Sequence, residues 1–197
     1  IISKEINESE RQNQLVVATN AEFAPFEYTV GQYYYGIDLE IAYELALKLN
    51  KQLVIVNMDF DAVLTSVQSG YCDIAMAGLT INSTRELIVN FTESYYAASQ
   101  KIIVKNDNMN FKDCITADDV VAKLLSLGSI KIGGQTGNTA YYYVTGDEDW
   151  GFEGISNATW QGYTSAAQAV TDMLNGNIDI VMVDAAPAAI LVKSFNR

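Results

Sequence analysis

Residues 67–78 read VQSGYCDIAMAG, and residues 173–184 read MLNGNIDIVMVD. At a constant offset of 106, Gly70 meets Gly176, Asp73 meets Asp179, Ile74 meets Ile180 and Met76 meets Met182. Each copy reads as a helix, a glycine turn and a buried strand. All strand–helix units look somewhat alike, but an aligned Gly, Asp, Ile and Met favours a true duplication. LVVATN (15–20) and IKIGGQ (130–135) hold corresponding places as first strands of the two halves.

The pattern around these segments alternates strand and helix. Residues 15–19, 53–56, 73–77 and 100–105 read as strands, with helices over 60–69 and 84–89. Between the first two strands lies an aromatic loop, NAEFAPFEYTVGQYYYG, then a helix capped by Asp38 with Ile41, Leu45 and Leu49 at four-residue steps. The grammar returns with helices over 117–127, 139–144, 164–175 and 187–195. Extended segments fall at 130–133, 155–160 and 178–183, and GGQTGN reads as a glycine-rich turn. The expected fold is α/β: two lobes with mainly parallel sheets flanked by helices. Expected boundaries are a polar lead-in or tether at 1–14, lobe one at 15–105 and lobe two at 106–197. In such sheets ligands bind beyond the carboxyl ends of the strands, here in a cleft between the lobes.

Composition narrows the function. The chain of 197 residues is 49% hydrophobic and 18% charged, an ordinary globular balance. A net charge of −12 argues against nucleic acid and anionic membrane as partners. His is absent, which removes Ser-His-Asp and Cys-His nucleophiles and His-based zinc sites. Cys72 and Cys114 cannot build a structural zinc site alone; they are one disulfide or two inert thiols, with two thiols preferred. No metal or cofactor is expected. No apolar run approaches the ~20 residues that span a bilayer. Ile1 opens the chain without Met, so it reads as a mature or trimmed form from which targeting information has been removed.

Small, polar and glycine positions follow the apolar runs: Asn20, Glu22 and Phe23; Ala77, Gly78 and Thr80; Gln135, Asn138 and Thr139; and Asp184. Arg85 alone of the three Arg lies away from the lead-in and the last position, five residues past Thr80. Its planar fork suits a carboxylate; the alternative is a surface Arg paired with Glu86. Amides of Asn138 and Thr139 at a helix start favour negative charge, although most such turns simply cap helices. Asp184 precedes Pro187 and could be a helix cap. In the repeat it takes the place of Gly78, which favours a carboxylate facing the cleft to hold an ammonium. Phe23 and Phe60 read as cavity walls, with core packing as their alternative. Together these groups complement a small zwitterion, and a free α-amino acid fits.

Here the sequence resembles the extracytoplasmic solute-binding proteins of ABC importers, in the group that binds polar amino acids. The resemblance spans about residues 15–195. It is carried by ATNAEFAPFEY, YGIDLEIAYELA, DFDAVLTSVQSGYCDIAMAGLTINSTRE, VNFTESYY, KIGGQTGNTA and MLNGNIDIVMVDAAPA. It implies a type II periplasmic-binding-protein fold, two lobes closing like a flytrap. Phe23 and Phe60 correspond to the aromatic residues that sandwich the ligand. Ala77, Gly78 and Thr80 match the strand-end group that takes the α-amino and α-carboxyl groups. Arg85, Asn138 and Thr139 match the carboxylate binders, and Asp184 matches the ammonium partner. Asn20 and Gln135 fall where selectivity is often set, and Asn20 replaces an Asp of many members. The family returns to lobe one after its last helix, and this chain stops at 197.

The resemblance implies a monomeric, non-enzymatic binding protein that serves a membrane permease. Its place would be the periplasm, or the outer face of the cell membrane through a lipid anchor. The ligand is expected to be polar and uncharged. Two rivals share the module: a sensor domain of a receptor, glutamate-receptor-like or kinase-linked, and a cyclohexadienyl dehydratase-like enzyme. Glu22 is the one general acid the enzyme reading could use.

Overall fold

A parallel strand buried on both faces is apolar through its middle, and β1 (Gln14–Thr19), buried along its whole length, has Leu15–Ala18 between Gln14 and Thr19. The computed structural model describes residues 1–196; Arg197, the end of the expected second lobe, lies outside the described residues. The protein is α/β with mainly parallel sheets flanked by helices, and it divides into two compact units, Ile1–Ala97 and Ala98–Arg197.

In unit 1, β1 is flanked by β5 (Gln52–Asn57) and β6 (Ile74–Ala75), both parallel to it. Helices α1 (Ile37–Lys48) and α2 (Phe60–Gln68) pack on this sheet. Val17, Leu39, Ala42 and Leu53 form one core layer, and Val16, Val54, Val63 and Ala77 another. The aromatic loop is in fact a small antiparallel sheet, β2 (Glu22–Phe23), β3 (Glu27–Val30) and β4 (Tyr33–Tyr35). Tyr28 stacks on Tyr35 across it, the kind of cross-strand pair that stabilises a ribbon. A short helix, α3 (Ser83–Glu86), follows β6.

Unit 2 holds β7 (Gln100–Ile103), β8 (Ile130–Gln135), β9 (Ala158–Tyr163) and β10 (Ile180–Asp184) in the order β7-β10-β8-β9. All are parallel except β7, which runs antiparallel to β10. Helices α4 (Ala117–Ser126), α5 (Thr139–Thr145), α6 (Ala166–Leu174) and α7 (Ala185–Phe195) alternate with these strands.

The repeat is visible in hydrogen bonds. The Val16 amide donates to Asp73 Oδ2 at 2.8 Å, and the Lys131 amide donates to Asp179 Oδ2 at 2.7 Å. Asp73 and Asp179 return their own amides to the Val16 and Lys131 carbonyls. Ile74 then pairs with Val17, and Ile180 with Ile132. Thus each aspartate locks the entry of its strand against the first strand of its half. Gly70 and Gly176 have φ of 76° and 84° just past α2 and α6, the left-handed stop that favours glycine.

Four expectations change. Residues 1–13 are fastened to unit 1: Lys4 donates to the Leu53 carbonyl, Ile55 to Ser3 Oγ, and Ile1 and Ile6 pack on its core. They cover the outer edge of β5, whose peptide groups would otherwise be unpaired. The units divide at Ala97/Ala98 instead of 105/106, because β7 belongs to the second sheet. Asp38 does not cap α1; Gly36 holds that position, and the buried residues are Asp38, Leu39, Ala42 and Ala46. The spacing of Ile41, Leu45 and Leu49 does not mark the buried face; Leu45 and Leu49 are exposed. Finally, Gly133 and Gly134 lie inside β8. A Cβ there would meet Ile178 at 2.5 Å and Trp160 at 2.6 Å, so these glycines admit neighbouring side chains. Cys72 and Cys114 are free thiols.

Asp73→Ala and Asp179→Ala are each expected to cost about 1 kcal/mol in urea unfolding, the usual worth of a lost hydrogen bond. Burial pulls Asp73 upward, but the Arg11 pair and the Val16 amide outweigh it and hold the carboxyl below its ordinary value. Its contribution is therefore present above about pH 4 and is lost as pH falls. An Asp73→Asn protein with an unchanged acid-unfolding profile would contradict this.

Candidate functional site

The polar residues at the carboxyl ends of the strands fall into one cluster in each unit. In unit 1, β1 and β6 are neighbours, with Ala18 beside Ala75, so Asn20 and the 77–80 segment emerge at the same sheet end. Asn20 is buried, and its Nδ2 donates to the Met58 carbonyl at 2.8 Å. This ties the end of β1 to the loop after β5. Ala77 is 1% exposed and packs in the core, so it can offer only its backbone.

Gly78 turns the chain with φ of 56°. A Cβ here would lie 3.0 Å from the Phe23 ring, so Phe23 sits directly over the turn. The Gly78 amide donates to Asp38 Oδ2 at 2.8 Å. The Tyr95 hydroxyl donates to Asp38 Oδ1 at the same distance. Asp38 is fully buried. Burial pushes its carboxyl above the usual range, against the pull of the Gly78 and Tyr95 hydrogen bonds.

Arg85 is 5% exposed, which disfavours the surface alternative. Its backbone is fixed where Asn82 caps α3, accepting the Arg85 amide at 2.7 Å. One guanidinium nitrogen donates to the Thr80 carbonyl at 2.7 Å. The guanidinium carbon lies 5.6 Å from the centre of the Phe60 ring, a cation–π separation. Phe60, Thr80 and Arg85 are thus brought together, as are Phe23 and Gly78. Glu22 is exposed on β2.

In unit 2, β8 and β10 are parallel neighbours, with Val181 beside Gly133. Gln135 ends β8, and its Nε2 donates to the Thr164 carbonyl at 2.9 Å. Asn138 and Thr139 begin α5 and are buried. The Asn138 side chain makes no capping bond, and both its polar atoms are buried without a hydrogen-bond partner. Such groups are costly unless something completes them. Asp184 ends β10, 8% exposed, and stands at the N-cap position of α7 without a side-chain capping hydrogen bond. It pairs in register with Gln100, whose Nε2 donates to its carboxylate. A separate groove in unit 2, about 760 Å³, is lined mainly by apolar residues such as Ile102, Leu124 and Phe152. It includes Gln100 but none of Gln135, Asn138, Thr139 and Asp184.

Three residues escaped the sequence reading, Glu27, Tyr95 and Gln100, and a fourth, Asp38, was read there only as a helix cap. Asp38 was legible in part, because Gly36 so close before the helix leaves it inside the first turn. Glu27 stands among Pro25, Phe26 and Tyr28, an apolar setting unusual for a carboxylate. Neither Tyr95 nor Gln100 carries a local signal.

A family model described as bacterial extracellular solute-binding proteins, family 3, matches residues 15–195. The arginine-binding extracellular protein ArtP of Bacillus subtilis is 33% identical over 97 residues, covering 49% of this chain and 38% of that protein. The histidine-binding periplasmic protein of Salmonella typhimurium is 27% identical over 174 residues, covering 88% and 61%. The chain therefore spans less than two thirds of the length of either relative. An ancestral arginine-binding protein bound to glutamine superposes with a TM-score of 0.75 at 30% identity, covering 92% of this chain and 74% of that one. An ancestral amino acid-binding protein described as a precursor of cyclohexadienyl dehydratase gives 0.77 at 28%, covering 94% and 76%. Among the described residues no helix is long and apolar enough to cross a membrane.

Gly78→Ala is expected to destabilise by about 1 kcal/mol for its left-handed backbone, plus the displacement of Phe23. Gly70→Ala, with open space around its Cβ, should show the backbone cost alone. Equal melting temperatures for the two variants would refute the close approach of Phe23.

Proposed function

Because the chain belongs to the bacterial extracellular solute-binding proteins, family 3, we propose that it captures a free α-amino acid outside the cytoplasm and delivers it to the permease of an ABC importer. The observation that carries this reading is the buried Arg85, held over Phe60 beside Thr80 at the strand end of unit 1. A guanidinium so placed is a bidentate donor for an α-carboxylate. Phe23 and Phe60 flank the side chain of the ligand. Ala77, Gly78 and Thr80 meet its α-carbon substituents.

Unit 2 contributes Asn138 and Thr139 to the same carboxylate and Asp184 to the ammonium. The buried amide of Asn138, without a partner of its own, supports this assignment. Gln100 holds Asp184 in orientation. Closure of the units on the ligand is driven only by contacts stronger in the closed state, and the second-unit contacts supply that difference.

Asn20 and Gln135 meet the ligand's side chain. Both are uncharged, which favours a polar uncharged amino acid such as glutamine. A relative bound to glutamine is compatible with this. A cationic amino acid is the second reading, favoured by the names of the arginine- and histidine-binding relatives and by the net charge of −12.

Calorimetric titration with free amino acids tests the proposal. Saturable one-to-one binding of glutamine stronger than that of arginine is expected; the reverse order selects the second reading. Arg85→Ala should weaken binding by roughly 2–5 kcal/mol, as for one partner of a buried charge pair. Asp184→Asn should weaken it in the same direction. Binding undiminished in Arg85→Ala would refute the carboxylate assignment.

A further inference from the structure

Three side-chain amides of unit 2 carry a buried oxygen with no hydrogen-bond partner among the described residues: Gln100, Asn138 and Asn157. Asn157 stands just before β9, at the amino ends of the parallel strands, where its Nδ2 braces the carbonyls of Leu124, Leu127 and Gly128. The other two lie at the carboxyl ends. Asn138 follows β8, and Gln100 opens β7 in register with Asp184, the last residue of β10. Alternation along a strand puts Gln100 on the same face of the sheet as Ile102, and Asp184 on the same face as Met182. Ile102 and Met182 pack in one core with Ala140 and Val144 of α5. Gln100, Asp184 and α5 therefore share that face.

The neighbour of Gln100 fixes how its amide is turned. An ionised carboxylate only accepts, so Nε2 points to Asp184. Oε1 hangs on the same carbon and lies beside that carboxylate, as a buried acceptor that needs a donor. A carbonyl oxygen next to a carboxylate repels a second anion and suits a cation that has more than one N–H to give.

Resting on the amino-acid-binding reading above, we propose that Gln100 is itself a ligand-binding residue, whose Oε1 is the second acceptor, beside Asp184, for the α-ammonium of the ligand. A primary ammonium carries three N–H donors. One goes to Asp184 and another to Gln100 Oε1. The amide thus acts through both its ends: Nε2 steadies the carboxylate, and Oε1 reads what the carboxylate has bound. An α-hydroxy acid of the same skeleton has a single O–H, which Asp184 takes, and an α-keto acid has no donor there. Either leaves Oε1 buried and unmet, and sites built to bond a donor reject analogues that lack it. The site therefore takes primary α-amino acids and rejects their hydroxy and keto counterparts, whichever side chain Asn20 and Gln135 accept.

Titration of the full chain with L-glutamine and with its α-hydroxy counterpart tests this, by calorimetry and, for weak binding, by amide resonances at millimolar ligand. L-arginine and its α-hydroxy counterpart replace them if arginine is the tighter ligand. Gln100→Met should lose about tenfold to hundredfold more affinity for the amino acid than for the hydroxy acid, the range for a hydrogen bond to a charged group. Equal losses would mean that Gln100 acts only by steadying Asp184, and would overturn the proposal.

Gln100→Glu separates the two ends of the amide, because it keeps an acceptor and removes the donor to Asp184. It should bind the amino acid at least about tenfold more tightly than Gln100→Met; affinity no better than that of Gln100→Met would sink the second acceptor. The side-chain carbonyl carbon of Gln100 in the isotope-labelled unmodified protein needs no substitution. Its resonance should move on saturation with the amino acid, and an unmoved resonance contradicts the contact. No saturable binding of any common amino acid by the unmodified protein would sink the functional reading itself, whereas binding with equal affinities of the Gln100→Met and Gln100→Glu variants would sink only the role of Gln100.

Discussion

Burial of the central strands on both faces is the constraint from which everything else follows. Val16, Val17 and Ala18 of β1 and Val181 and Val183 of β10 are completely inaccessible. Such strands have no solvent face on which to carry polar chemistry. Polar side chains must wait until the strand ends, and there they appear: Asn20 after β1, Thr80 after β6, Gln135 on β8 and Asp184 on β10. The site is a consequence of how the sheets are filled.

The aspartates of the repeat make that arrangement reproducible. Asp73 and Asp179 each accept an amide from the strand that opens their half. This fixes the stagger between neighbouring strands, and a slip of one residue would turn every side chain to the opposite face. Because both halves use the same lock, each strand leaves it in the same register to the first strand of its own half. Gly78 and Asp184, equivalent in the repeat, then differ in what they offer: a bare backbone in one unit, a carboxylate in the other.

Much of this was legible in the sequence. Long apolar runs, glycine stops and the 106-residue offset determine the alternation of strand and helix, and Arg85 stood out through scarcity. Residues whose meaning depends on distant partners were harder to read. Gly133 and Gly134 look like turn glycines, yet they make room for Ile178 and Trp160, which only the tertiary structure brings near. Asp38 looks like a helix cap, and its partners are 40 and 57 residues away. The lead-in looks like a tether because its few apolar residues are scattered, but Ile1 and Ile6 suffice to seat it. Polar networks are set by geometry across elements, and local pattern carries little of that geometry.

Electrostatics explain why a small dipolar guest suits these strand ends. A buried guanidinium and a buried aspartate are each expensive when uncompensated. In the proposed reading, a ligand carrying both charges adds a carboxylate to the partners of Arg85 in unit 1 and an ammonium to those of Asp184 in unit 2. Native mass spectrometry of the protein incubated with a mixture of all common amino acids tests this most directly. The account predicts a one-to-one complex heavier by one amino acid, lost on denaturation. The mass of the bare chain alone, at every amino acid concentration tried, would contradict it.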